Sequence, residues 1–444
     1  MSEQAAVLGK FEEYIAHLGE RAPAQQGSDD ERLARAKQAF RAGLDGAMAI
    51  DLECCIHCGM CAEACHFYES TQQGKYAPIH KLAPLRRFYH RELGPLRWLF
   101  RLFTRDISLK ELGEWQEFVY NSCTMCARCD MICPMGIQIS PMVGVMRSGL
   151  AAAELVPRAL AAGTLEQKQQ GTVFGTGAAE LVKTVDTLRQ QGLVVNLDKD
   201  TADIMLLSTA MDVNVYTRSL AGMVKIMNGL GVDWTLRSAA FEATNFGMLS
   251  GDREAEEAAT RRIIDEALAC GAKTIIIPEC GHAYAELRWE AANIHGQPLP
   301  FEVVAISEFL GRELQAGRLK LKSSAIKQRV TYHDPCKMGR LGGVLDEPRA
   351  LLDALGVELT EMESHGATNY CCGGGGGVML IEGAAMLRQR AFEIKMRQVD
   401  DTGADAVVTT CDSCRTTFIT GAQNANWHTS VESLVELVAE NLED

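Results

Sequence analysis

The sequence predicts an α+β protein: a helical domain built around two cysteine runs, followed by two α/β repeats of which the first is degenerate. Three observations predict it. Two runs of identical spacing, Cys55-x2-Cys58-x2-Cys61-x3-Cys65 and Cys123-x2-Cys126-x2-Cys129-x3-Cys133, stand among helix-patterned segments. From residue 203 onward, short apolar runs alternate with amphipathic stretches, as expected for α/β units with a parallel sheet. The order of landmarks across 201–320 then returns across 328–444, and such internal repetition marks a repeated fold.

At 444 residues, the chain is long enough for two to four domains, and 47% hydrophobic with 23% charged residues is ordinary globular composition. A net charge of −14 argues against nucleic-acid binding, which needs a basic surface. The first residues are mixed and acidic, without the basic start and apolar core of a secretory leader. No apolar stretch is long enough to span a membrane. Sixteen cysteines in such a chain point to metal binding in a reducing compartment, and a cytoplasmic location is expected.

Residues 1–45 read as an amphipathic helical lead-in, with Phe11, Tyr14, Ile15 and Leu18 at helical spacing, expected to pack on the domain that follows. That domain, 46–150, holds the two runs. Their spacing is the bacterial ferredoxin pattern, in which the fourth cysteine of each run ligates the other cluster. Cys55, Cys58, Cys61 and Cys133 are thus expected to hold one [4Fe–4S] cubane, and Cys123, Cys126, Cys129 and Cys65 the other. Structural zinc would not require two matched quartets of this form. Pro134 follows the second run, whereas His66 stands in that place after the first; Cys54 is a bystander.

Between the runs lies a basic, aromatic stretch, Lys81 to Arg105, with seven basic residues against the single acid Glu92 and with Trp98, Phe100 and Phe103 interleaved. Two readings stand side by side: a peripheral membrane or membrane-partner contact, and a solvated basic face whose aromatics pack inward. A helical connector, 151–200, is interrupted by Gly171 to Gly177, whose glycines follow no strand and do not read as a nucleotide loop.

In the first α/β unit, 201–320, strands are expected at 204–207, 232–236 and 274–277, with helices at 218–230 and 254–269. The second unit, 328–444, opens with a strand at 330–332 that runs into His333-Asp334-Pro335-Cys336. Cys371-Cys372 then opens a run of five glycines, Gly373 to Gly377, and Cys411-Asp412-Ser413-Cys414 closes the set. A vicinal pair between a lone cysteine and a C-x-x-C is poor core packing, and thiolates are soft ligands suited to iron and sulfide. The five are read as ligands of one iron–sulfur centre. In the first unit Phe246 falls where Cys372 stands later and Ala283 where Cys414 stands, leaving only Cys280 in the place of Cys411. One such centre is expected, not two.

The pattern C-x34-C-C-G-x37-C-x-x-C resembles the cysteine-rich CCG domains of heterodisulfide reductase, and the double run ahead of it resembles the D-type organisation. Glu242 to Gly247, Glu279 to Ala283 and His333 to Cys336 make the chain similar to the DsrK-like subunits of sulfur-metabolism membrane complexes. The resemblance implies that Cys336, Cys371, Cys372, Cys411 and Cys414 hold a non-cubane [4Fe–4S] centre that reduces or forms a disulfide-type bond. The partners implied are a membrane cytochrome or quinone-reactive subunit, and a small sulfur-carrier protein or thiol/disulfide substrate. The two units would be related by a pseudo-twofold. An alternative stays open: related subunits relay electrons for flavin-dependent glycolate, lactate or glycerol-3-phosphate dehydrogenases, with a flavin subunit as partner.

Gly373 and Gly374 are expected to bring backbone N–H groups close to the centre. His333 and His282 read either as proton donors to a departing thiolate or as structural hydrogen-bonding groups. Cys280 is either a pocket-lining residue or an inert remnant, and Cys270 belongs to a core.

Overall fold

In a computed structural model, residues 3–19, 21, 23–322 and 328–443 are described. The lead-in forms two helices, Glu3–Gly19 and Asp29–Gly43. The second opens on a capping box, in which Ser28 and Glu31 satisfy each other's backbone N–H groups. Its Phe40 lies against helix Ile139–Ala152 at Gly149, where a Cβ would sit 2.0 Å from the ring. This helix packs on the domain that follows, as expected. The first helix does not: it lies on Arg158–Gln170 of the connector and on Asp412–Ala425 of the last unit. Its apolar stripe of Phe11, Tyr14 and Leu18 is buried, with Tyr14 stacked on Phe174 at 4.4 Å.

Both cysteine runs wind through the same local path. His57 and Gly59 in the first, and Met125 and Ala127 in the second, take left-handed backbone conformations. Gly59 and Ala127 then open the short helices Met60–Glu63 and Arg128–Ile132. This turn reverses the chain within three residues, which lets successive thiols face one space.

Beyond the connector stand two four-stranded parallel sheets. The first comprises β1 (Ile204–Leu206), β2 (Trp234–Thr235), β3 (Thr274–Ile277) and β4 (Glu302–Ala305), in the order β2-β1-β3-β4. The second comprises β5 (Arg329–His333), β6 (Glu358–Leu359), β7 (Ala406–Thr409) and β8 (Ser430–Ser433), in the order β6-β5-β7-β8. Strand order and direction are the same in both. Burial on both faces explains why β3 and β7 read as unbroken apolar runs, Ile275–Ile277 and Ala406–Val408. The chain leaves β5 towards Cys336 and β7 towards Cys411, the carboxyl ends where open parallel sheets bind ligands.

The two units meet at equivalent loops. Asp412 N–H donates to Glu279 O at 2.8 Å, and Ser433 Oγ donates to Glu279 at 2.6 Å. Beside them Arg415 and Glu436 form a buried ion pair at 2.6 Å, which Ser219 joins.

One buried side chain joins three parts of the molecule. Arg147 donates to Val119 O and Cys123 O in the two-run domain, to Leu249 O in the first unit at 2.6 Å, and to Gly376 O in the second at 2.7 Å. Arg147→Lys keeps the charge but loses the fork, so carbonyls are left unpaired in the interior. We expect a loss of about 2–4 kcal/mol in stability, and amide exchange across 119–124 and 373–377 that is faster by roughly one to two orders of magnitude. Unchanged exchange in those segments would show that the guanidinium is not the joint.

Candidate metal centres

The two runs meet as the crossed pattern requires. One cavity is lined by Cys55, Cys58, Cys61 and Cys133, and a second by Cys65, Cys123, Cys126 and Cys129. Cys54 is exposed and lines neither.

The five later cysteines are all buried and lie in one cluster of side chains, which Cys126 also touches. Cys372 and Cys414 come together with His333, their ligand atoms all within 4.8 Å of one another. The thiols perturb one another's titration. Contacts with Cys371 and then Cys414 hold the Cys372 thiol well below its ordinary value. The Cys371 thiol is pushed well up by Cys126, Cys336 and Cys372, while Cys126 is held well down by Cys371. Cys126, of the second quartet, therefore packs against the cluster that holds the vicinal pair.

Charge and packing hold that contact. Arg128 stacks on Tyr370 at 3.6 Å and donates to Thr368 O at 2.9 Å, just ahead of Cys371. Arg340, four residues after Cys336, donates to Cys126 O at 2.6 Å and to the carbonyls of Ala367 and Asn369. Lys395 is fully buried nearby and donates to Asn369 Oδ1 at 2.5 Å; burial pushes its ammonium down to about 7, against the pull of Asp334, Cys371 and Cys372. None of these cations stood out in the sequence, because each lies on a helix or loop of unremarkable composition. Lys395, flanked by Ile394 on a helix that buries Phe392 and Val399, carried the one available signal.

The donor set fits iron–sulfur groups. Soft thiols line two cavities in fours and gather as a buried cluster of five beside them, and polar atoms nearby lack protein partners. Both ring nitrogens of His66 and of His333, and the hydroxyl of Thr124, are buried without a hydrogen bond. They follow Cys65, precede Cys336 and follow Cys123, where an anionic sulfide-bearing group would supply acceptors.

The glycine run approaches protein backbone as well as the thiols. A Cβ at Gly376, whose φ is +61°, would lie 2.8 Å from the carbonyl carbon of Thr124. Gly373 also has positive φ, and Gly374 abuts Thr417. His282 is engaged structurally: its Nε2 accepts the Gly376 N–H at 2.9 Å, and burial pushes the ring down to about 4, so it is neutral. His333 stays beside Cys372 and Cys414, edge-on to Phe418 at 5.1 Å.

Another cavity borders the five-cysteine site, lined by His282, Gly374, Ser413 and a set of apolar side chains. Cys280 is not in its wall. It is buried behind Thr244, whose hydroxyl lies 3.8 Å from its sulfur, and burial pushes its thiol far up. Cys270 is core, as expected. Lys81 is likewise buried, donating to Ser122 O, and does not belong to the basic surface its sequence position suggested. Trp98, Leu102 and Phe103 are 64%, 72% and 79% exposed, so those aromatics do not pack inward; Phe100 does, stacked on His90. No described helix is long and apolar enough to cross a membrane.

Two family descriptions match the chain: a 4Fe-4S dicluster domain over 51–137 and a cysteine-rich CCG domain over 330–419. The chain is 28% identical over 411 residues to the D-type polypeptide of the dihydromethanophenazine:CoB–CoM heterodisulfide reductase of Methanosarcina mazei, covering 90% of this chain and 96% of that one. It is 25% identical to an Hdr-like menaquinol oxidoreductase iron–sulfur subunit of Archaeoglobus profundus, covering 80% and 70%. It is 26% identical to EtfAB:quinone oxidoreductase of Syntrophomonas wolfei, covering 89% of this chain and 58% of that one.

The cavity rests on a buried acid whose titration is testable. Burial pushes the Glu242 carboxyl up to about 7, opposed by N–H donors from Thr244 and Ala210. The folded state keeps this proton between the unfolded value of 4.5 and about 7, where the unfolded chain has released it. Its stabilisation is complete below the lower value and lost as pH rises through the upper one. Stability, read from unfolding at each pH, should fall from pH 5.5 to 8 more steeply in wild type than in Glu242→Gln, by on the order of 2 kcal/mol across that window. Parallel pH profiles would refute the assignment.

Proposed function

We propose that this chain, a homologue of the D-type heterodisulfide reductase subunits, is an iron–sulfur oxidoreductase subunit acting on sulfur–sulfur bonds. Electrons would pass through two [4Fe–4S] cubane sites, Cys55/Cys58/Cys61/Cys133 and Cys123/Cys126/Cys129/Cys65. They would reach a non-cubane [4Fe–4S] site held by Cys336, Cys371, Cys372, Cys411 and Cys414. There a disulfide- or trisulfide-type bond on a sulfur-carrying partner is reduced or formed. The observation that carries this reading is the packing of Cys126, from the second quartet, against the cluster of the five later cysteines.

Reduction of R–S–S–R′ takes two electrons and two protons and releases RSH and R′SH; formation of the bond runs the same balance in reverse. A four-iron group bound there supplies one-electron redox chemistry and iron atoms able to take up sulfur. The chain's residues supply the setting. Lys395 and Arg340 place positive charge near the site, the glycine loop presents backbone N–H groups, and His333 directs a ring nitrogen at the sulfurs of Cys372 and Cys414. The two α/β units are read as a duplicated fold about a pseudo-twofold, in which the first has lost its ligands.

The chain carries no nicotinamide or flavin fingerprint, so electrons are exchanged with another subunit, either a membrane cytochrome or quinone-reactive protein or a flavoprotein. The exposed Arg97–Phe103 helix, with its apolar and arginine residues, suits peripheral contact with such a membrane partner. A second reading, electron relay without sulfur chemistry, draws on the likeness to EtfAB:quinone oxidoreductase. One variant separates the two. Cys372→Ser should abolish dye-driven disulfide reduction while both reduced-cubane EPR signals persist, and iron should fall from about 12 to about 8 atoms per chain. Full iron content with no disulfide reduction in wild type would favour the relay.

A further inference from the structure

The cavity beside the five-cysteine site has a composition that selects its occupant. The space it encloses is small, about 50 Å³, room for the end of a short apolar chain. Four separate parts of the chain enclose it. Phe11 comes from the first helix, Phe174 from the glycine-broken loop of the connector, and Met211, Phe246 and Leu249 from the first α/β unit. Met379, Gly374, Ser413 and Thr416 come from the second. Gly374 lies two residues from Cys372, and Ser413 lies between Cys411 and Cys414, so the cavity lies beside the loops that carry the thiols, though no cysteine is in its wall.

Among the described residues, no lysine, arginine, aspartate or glutamate lines the cavity. Its polar groups are largely spent: His282 Nε2 accepts from Gly376, and Thr416 shares a hydrogen bond with Tyr216 at 2.7 Å. A carboxylate, sulfonate or phosphate placed here would lose its water and find no cation, a cost of several kcal/mol. An aliphatic or aromatic group would instead gain about 25 cal/mol for each Å² of apolar surface it buries. Phe246 is central to this selectivity. It stands where the second unit has Cys372, it packs edge-on to Phe174 at 5.7 Å, and its ring lies where Gly163 leaves room for it. The first unit thus presents an apolar wall at the place where a ligand stands in the second.

We infer that this cavity is the binding site for the uncharged, apolar arm of a small thiol or disulfide, whose sulfur is presented to the five-cysteine site. The inference rests on the sulfur–sulfur oxidoreductase reading and names the class of substrate for it.

The test uses anaerobic holoprotein. Binding of butanethiol and of 4-mercaptobutyrate is measured by titration calorimetry, and reduction of the two corresponding symmetric disulfides is followed with reduced viologen as electron donor. The uncharged thiol should bind at least about tenfold more tightly than its carboxylate analogue, with a negative heat-capacity change. Met211→Arg and Met379→Arg, at two partly exposed positions of the wall, should each abolish most of that preference; two sites guard against one variant failing to fold. Equal or tighter binding of the carboxylate, no binding of butanethiol, or a preference untouched in both folded variants would overturn the inference. If butanethiol binds with the expected preference and neither disulfide is reduced, the binding site stands and the oxidoreductase reading falls.

Discussion

Arg147 is completely buried, and its charge is tolerable only because the fork is filled by the carbonyls of Val119, Cys123, Leu249 and Gly376. Those carbonyls belong to three regions far apart in sequence, so one guanidinium fixes their mutual positions. The glycine loop is thereby pressed onto Thr124. Only glycine fits at 376, where φ is positive and a Cβ would collide with that backbone. Because Thr124 lies between Cys123 and Cys126, and the glycines directly follow Cys372, the same constraint seats Cys371 against Cys126. Arg128 and Arg340 tie the segments on the other side of the contact.

Most of the architecture was legible because it depends on periodicities local to the chain. Helix spans at 217–229 and 253–269, and strands at 274–277 and 329–333, lie within a few residues of their expected places. Fixed cysteine spacing likewise revealed which thiols share a space, since the crossed quartets follow from the wrap of short loops. What stayed hidden depends on pairing across long separations. Nothing in Phe11 or Phe174 distinguishes a cavity wall from ordinary core, and nothing around Arg147 announces the burial of its charge. The first helix has the expected stripe, yet amphipathicity says only that a face is covered, not by what; the connector and the last unit cover it. The basic stretch read as one patch because sequence cannot show that Lys81 turns inward while Trp98 and Phe103 turn out.

Buried charge in the second unit follows one logic. Clustered thiolates are anionic and lie in a low-dielectric interior, where uncompensated charge is costly. The molecule as a whole is acidic, yet the buried Arg147 and Lys395 and the half-buried Arg128 and Arg340 lie near the sulfurs, two from the two-run domain and two from the second unit. The neighbouring acids are treated differently. Asp212, Glu279 and Asp412 are buried with carboxyl oxygens lacking hydrogen-bond partners, and burial pushes all three up towards their neutral forms. A neutral carboxyl near an anionic centre avoids the repulsion that an ionised one would impose.

The unequal fates of the two units follow from the same physics. Cys280 and Cys411 both cap a helix that begins after a parallel strand, and the two loops touch through Asp412 and Glu279. A thiol at a helix N-terminus ordinarily ionises more easily. Cys411 does so, helped first by its contact with Cys414, whereas Cys280 has no such partner, caps a helix of only five residues, and is dominated by burial. In the first unit Ala283 and Phe246 stand where the sequence repeat places Cys414 and Cys372, and its residues serve other tasks. His282 clamps the glycine loop, Leu249 supplies a carbonyl to Arg147, and Phe246 shapes the cavity. The first unit thus serves as support and wall for the cysteine cluster of the second.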